Sequence, residues 1–217
     1  MEFQKRLKTK VKSVESGLTP RFKKILQDDI DAQQSRGQEA HILQIGQPMP
    51  NIELTDQNGK KVSAHELLKK GPLVLAFYRG FWCSFCNVDL ANLNHYVKDI
   101  EALGANLFAI SPERAPYSKK IVAVQKLKFA ILEDSNNSIA QQFGLKYQVT
   151  DELKDLYRSG FNVNLKQYHG NDEWSLPMPA RYLIDQDGIV QYAEAKADYR
   201  ERPDPDDLIT ALKSILN

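Results

Sequence analysis

The run PLVLAFYRGFWCSFC, residues 72–86, sets an unbroken apolar stretch directly before both cysteines of the 217-residue chain. Leu73 to Phe77 carry no polar side chain, and Gly71-Pro72 and Arg79-Gly80 bound the run. A strand with one wet face would alternate, so this one is expected to be covered on both faces by helices. Beyond it, Leu90, Leu93, Val97, Ile100 and Leu103 recur at helical spacing and predict one helix from about Cys83 to Leu103, with Gly104 as its stop. The cysteines therefore fall at a strand-to-helix junction, Cys83 at the helix N-terminus and Cys86 nearly one turn in. Unpaired backbone N–H groups and the macrodipole favour an anion there. A thiolate is such an anion, and Cys-X-X-Cys thiols so placed have pKa values lowered from ~8.5 to roughly 3.5–7.5.

Outward from the junction, strands and helices alternate. NIELTDQNGKKVS, residues 51–63, reads as a hairpin turning at Asn58-Gly59. NLFAIS, a helix over about Pro116–Leu127, FAILED and a helix over about Ile139–Phe143 continue the βαβ rhythm of a sheet covered on both sides. A polar stretch from Gly144 to Leu176 interrupts it, with a short helix beginning at Thr150. RYLIDQDGIVQYAEA then reads as a second hairpin turning at Asp187-Gly188, and Pro205 opens a terminal helix with Leu208, Ile209, Leu212 and Leu216 on one face. Before residue 44 stand two helices. One places Phe3, Leu7, Val11 and Val14 among lysines, and the other runs from a Thr19 cap and Pro20 toward Gly37. The first is expected to pack on its own chain, docking on a partner or membrane being the alternative. Residues 1–43 are thus read as a helical extension and residues 44–217 as one α/β domain.

Composition narrows the partners. Lys plus Arg is 29 and Asp plus Glu is 28, so the formal charge of +1 gives no field to gather nucleic acid. No apolar run approaches the ~20 residues of a membrane span, and the N-terminus has no signal-like apolar core. The expected location is the cytoplasm, where thiols are kept reduced or cycling. Zinc would need about four ligands, and the four histidines show no ligand spacing around the pair, so no metal or cofactor is expected. Two inert buried cysteines are the remaining plain alternative to a reactive pair. Arg79 could hold a thiolate or a peroxide oxygen, and Phe81, Trp82 and Phe85 could form the rim of a site.

The motifs in order, GQPMPNIELTDQNGKKVS, a buried strand ending in FY, the cysteine pair, AISPE, FAILED, FGL and YLIDQDGIV, resemble the peroxiredoxin family, the AhpC/TSA group of the thioredoxin-like fold. The resemblance covers roughly residues 46–216. It implies a central mixed sheet flanked by helices, and a peroxidase whose thiolate becomes a sulfenic acid on hydrogen or organic hydroperoxides. Thioredoxin or a glutathione-type reductant restores it; a homodimer is left open. Family spacing puts the peroxidatic sulfur at Cys86, with Cys83 where a Thr or Ser stands and Arg79 where a Pro stands. The family arginine falls on Pro179, and Arg181 does not match it. Pro179 and the dithiol are instead similar to the cis proline and cysteine pair of thioredoxin. That implies an alternative thiol-disulfide oxidoreductase in which the more exposed Cys83 attacks and Cys86 resolves. A redox-sensing or interaction module is a third reading, motivated by the basic first helix and the Gly144–Leu176 stretch.

Overall fold

The computed structural model describes residues 2–216. Two helices come first, α1 (Glu2–Ser16) and α2 (Pro20–Ser35), and a 3-10 turn (Gln38–His41) follows. The Thr19 side chain accepts a hydrogen bond from Phe22 N and caps α2, as its sequence predicts. The hairpin is β1 (Glu53–Asp56) and β2 (Lys61–Ser63), then α3 (Ala64–Leu68), β3 (Leu73–Phe77), α4 (Ser84–Leu93) and α5 (Val97–Ala102). Next are β4 (Asn106–Ser111), α6 (Ala115–Gln125), β5 (Ala130–Glu133), α7 (Ser138–Gln142), β6 (Lys146–Gln148) and α8 (Asp151–Asp155). A π-helical turn (Leu156–Gly160) leads to α9 (Leu165–His169), β7 (Ser175–Pro177), β8 (Ala180–Ile184), β9 (Val190–Ala195) and α10 (Pro205–Ser214).

The main sheet has seven strands in the order β2-β1-β5-β4-β3-β8-β9. β3, β4 and β5 are parallel, while β8 runs antiparallel to β3. β3 is thus central, and all five of its residues are buried, which is why its sequence shows no alternation. This is the mixed, helix-flanked α/β sheet the sequence predicts. No helix among the described residues is long and apolar enough to cross a membrane.

Two expectations are corrected. The single helix over 83–103 is broken between α4 and α5, because Asn94 leaves the helix and its side chain serves the α6–β5 connection. Its Nδ2 donates to Lys126 O (3.1 Å) and its Oδ1 accepts from Lys128 N (2.8 Å). The Gly144–Leu176 stretch does not merely interrupt the fold. Its β6 and β7 pair as a second small sheet, and Tyr147, Leu153, Tyr157, Leu165 and Trp174 join the core. The short helix expected from Thr150 is α8, and Thr150 is its cap.

The N-terminal helices pack on the rest of the chain. Phe3 and Leu7 are buried, and α1 lies on α4. The segment after β9 ties them down. Arg200 donates to Glu15 Oε1 (3.1 Å) and Gln27 Oε1 (2.9 Å), and Ala197 N to Glu39 Oε1 (2.7 Å). Residues 41–43 meet the sheet layer at Gly144, where a Cβ would lie 2.0 Å from His41 O, and φ is +70°. Only glycine fits both the space and the backbone there.

Candidate active site

The site grows out of the C-terminal end of β3. Tyr78 N continues the ladder by donating to Ile110 O (3.0 Å), and Gly80 to Cys83 then form a turn closed by Cys83 N to Gly80 O (3.0 Å). Cys83 is the cap residue of α4, and Cys86 is in its first turn. Their sulfurs are 2.8 Å apart, with the Cys86 thiol donating to Cys83. The expected junction is therefore present, and Cys83 is the more exposed of the two sulfurs, as expected, although both are buried: Cys83 is 4% exposed and Cys86 0%. Cys83 lines a cavity of about 200 Å³ together with Arg79, Trp82, Phe85, Tyr157 and Tyr199, and with Val14 and Leu26 from the N-terminal helices.

Two arginines charge this apolar enclosure. Arg79 is fully buried, its guanidinium 4.0 Å from the Tyr199 ring centre and 4.9 Å from that of Trp82, and it donates to the Tyr157 hydroxyl. The second is Arg202, whose Nη2 lies 3.2 Å from Cys86 Sγ. It is aimed by Nη1 hydrogen bonds to Tyr199 O and Glu201 O, and by Asp89, whose Oδ2 is 3.4 Å from Nε. Asp89 also accepts from Arg181 Nη2 (2.7 Å).

Burial opposes charge on Cys83, but the Cys86 thiol donating to it and the charges of Arg79 and Arg202 outweigh burial and bring Cys83 down to about 5. Burial, together with the hydrogen bond to and charge of Cys83, pushes Cys86 up. Arg202 is nearer Cys86, yet Cys83 has Arg79 and the open end of α4 besides, so the shared proton rests on Cys86.

The remaining residues named from sequence divide. Trp82 lines the cavity, its ring tilted against that of Tyr157 with centres 5.3 Å apart. Phe81 instead faces Lys120, whose Nζ is 4.9 Å from its ring centre. Pro179 is buried at the start of β8 and lies outside the cavity lining; every described peptide bond is trans, so it does not offer the cis backbone edge of thioredoxin. Arg202, Asp89, Tyr157 and Tyr199 were not foreseen. Only Asp89 left a trace, three residues after Cys86 and so on the same helix face.

The model of the AhpC/TSA family matches residues 45–193. The chain belongs to that family. A Mycobacterium tuberculosis protein that carries the name peroxiredoxin is 25% identical over 122 residues, 56% of this chain and 79% of that one. The thiol-disulfide oxidoreductase ResA of Bacillus anthracis is 24% identical over 148 residues, 68% of each chain. Among solved structures, peroxidoxin BcpB from Mycobacterium tuberculosis superposes with a TM-score of 0.62 at 21% identity, over 80% of this chain and 98% of its own. Thiol-dependent peroxide reduction is the activity these comparisons support. The family spacing read from the sequence assigns the Thr position to Cys83 and the arginine position to Pro179; the guanidinium that contacts sulfur in the structure is that of Arg202, from beyond β9.

Proposed function

We propose that the protein reduces hydroperoxides with Cys83 as the attacking sulfur and Cys86 as the resolving one. The observation that carries this reading is the cavity: Cys83 lines it, whereas Cys86 lies behind, fully enclosed. The Cys83 thiolate attacks one oxygen of the O–O bond, forms a sulfenic acid and releases the other oxygen as alcohol or water. Cys86, 2.8 Å away, displaces the sulfenic oxygen as water and closes a disulfide. A dithiol of thioredoxin type, or a glutathione-type thiol, reopens it. Arg79 and Arg202 hold the negative charge that passes from sulfur to oxygen.

The second reading, a thiol-disulfide oxidoreductase, is favoured by the ResA relative and by the dithiol itself. A sulfur 4% exposed suits a small peroxide better than a folded protein's disulfide. We assign residues 1–43 to the working enzyme, since Val14 and Leu26 wall the cavity. The cytoplasm is the compartment proposed, because a reducing thiol pool recycles such a pair.

The test is to react Cys86→Ser and Cys83→Ser proteins with one equivalent of peroxide in the presence of dimedone. The adduct is expected on Cys83 of the first, with the second slowed to the rate of free cysteine. Fast reaction and an adduct on Cys86 in the Cys83→Ser protein would return the attack to the position the family spacing indicates.

A further inference from the structure

The turn that carries Cys83 rests on a buried carboxyl group that the thiol chemistry above leaves unused. Glu113, in the connection after β4, is 0% exposed. Its Oε2 accepts from Phe81 N (2.7 Å), and its Oε1 has no partner. Trp82 Nε1 is likewise buried without a partner. Both orphaned atoms converge on one face of Gly80: a Cβ there would lie 2.5 Å from Trp82 Nε1 and 2.7 Å from Glu113 Oε1. Gly80 has φ +151°, so backbone and space alike keep that face free of a side chain. Each of these polar atoms loses free energy if nothing pairs with it. They flank the turn that carries Cys83, whose own N–H donates to Gly80 O.

We propose that Glu113 is the proton-handling group of the peroxidase, giving its proton to the departing peroxide oxygen while Trp82 Nε1 donates a hydrogen bond to that same oxygen. The proposal rests on the thiol-peroxidase reading above. In the first step Cys83–S⁻, ROOH and Glu113–COOH give Cys83–SOH, ROH and Glu113–COO⁻; the S–O bond forms as the O–O bond breaks. The carboxylate then takes the Cys86 thiol proton as the disulfide forms and returns it to the leaving hydroxide, which departs as water. Reduction by an external dithiol supplies two electrons and two protons. One proton restores Cys86–SH and the other Glu113–COOH, leaving Cys83 as the thiolate.

The surroundings keep the acid proton in place. Burial above all, opposed by the Phe81 N–H but aided by the Cys83 charge, raises Glu113 to about 8. The titratable groups facing it are Tyr78 beyond β3, Cys83 on α4 and Tyr168 on α9, and none is a cation. The adjacent Arg114 packs against Gly170, and Lys120 stands over the Phe81 ring. Among the described residues no ion pair reaches Glu113.

The experiment compares Glu113→Gln with the unaltered chain, using two peroxides of opposite demand. Hydrogen peroxide releases a strongly basic oxygen that needs a proton; peracetic acid releases a carboxylate that does not. Glu113→Gln is expected to slow the first by about 10²-fold, to slow the second by less than about threefold, and to lose the fall in rate above pH ~8 that deprotonation of Glu113 imposes. Trp82→Phe, which keeps the ring and removes the N–H, is expected to show the same contrast at smaller amplitude, and it carries the test if Glu113→Gln does not fold. Equal slowing of both peroxides in a folded variant, or an unchanged alkaline limb, overturns the proposal. An unaltered chain no faster than free cysteine with either peroxide would instead remove the peroxidase reading on which it stands.

Discussion

Replacing Arg79 by Met removes a buried cation while keeping a side chain of similar reach in the ring of Trp82, Tyr157 and Tyr199. An opposite charge at this range shifts an acid by about 1–3 pKa units. Cys83 is therefore expected to rise from about 5 by that amount, toward a midpoint near 7. Its folded pKa is depressed, so thiolate is lost as pH falls. At pH ~6 the thiolate fraction drops by about tenfold for a two-unit rise, whereas at pH ~8 it barely changes. Stopped-flow peroxide consumption across this range, beside an ultraviolet titration of the thiolate, reads both quantities. A rate deficit that disappears on raising the pH assigns Arg79 to holding the thiolate; a deficit that persists adds a contact to the peroxide. An acid limb that does not move at all refutes the electrostatic account. Asp29 of α2 follows in step: burial raises its pKa and Arg79 opposes that, so the variant holds this carboxyl protonated to a higher pH. Stability changes little, because exchanging a buried charge for a packed apolar group is often neutral, although Tyr157 loses its guanidinium partner.

Two further outcomes are expected. The raised pKa of Glu113 means that its contribution to folding is full below pH ~4.5 and is lost as pH rises through about 8; Glu113→Gln should therefore gain on the unaltered chain between pH ~5 and ~8 by on the order of 3 kcal/mol, read from urea midpoints, and parallel stability profiles would contradict this. Arg200→Ala cuts half-exposed bonds to Glu15 and Gln27 worth about 1 kcal/mol each at most, so hydrogen exchange should quicken roughly tenfold in α1 and α2 but not in β3; a uniform change across the fold would mean that the arginine does not act locally.

How legible the molecule was depended on the range of the interactions involved. β3 and its junction with α4 could be read from residues 72–86 because a strand buried on both faces writes its environment into every position. The break after Leu93 was hidden because its cause, the Asn94 side chain, acts on residues 126 and 128. Phe81 and Trp82 looked equivalent, yet one faces Lys120 and the other the cavity. Such a choice is made by the turn and not by composition. Glu113 sits in the AISPE motif, but a carboxyl group's burial leaves no mark on its neighbours in sequence. Arg202 is the clearest case. It reaches Cys86 across 116 residues from an irregular segment with no periodicity to read. Composition also misled over residues 144–176, where polar side chains outnumber the buried Tyr147, Tyr157 and Trp174 that anchor the stretch.

The segment from Ala197 to Pro203 gives the fold a consequence for how the enzyme is made. It brings Arg202 to the sulfur, lays Tyr199 on Arg79, and holds Glu15, Gln27 and Glu39, so segments from before β1 and after β9 meet around the dithiol. On the ribosome, β3 and both cysteines emerge long before residue 202 does. Until that segment arrives, Cys83 lacks one of its two cations and part of its enclosing wall. Until then the Cys83 thiolate is held by Arg79, the Cys86 thiol and the end of α4 alone, so its full acidity waits on a segment more than a hundred residues downstream.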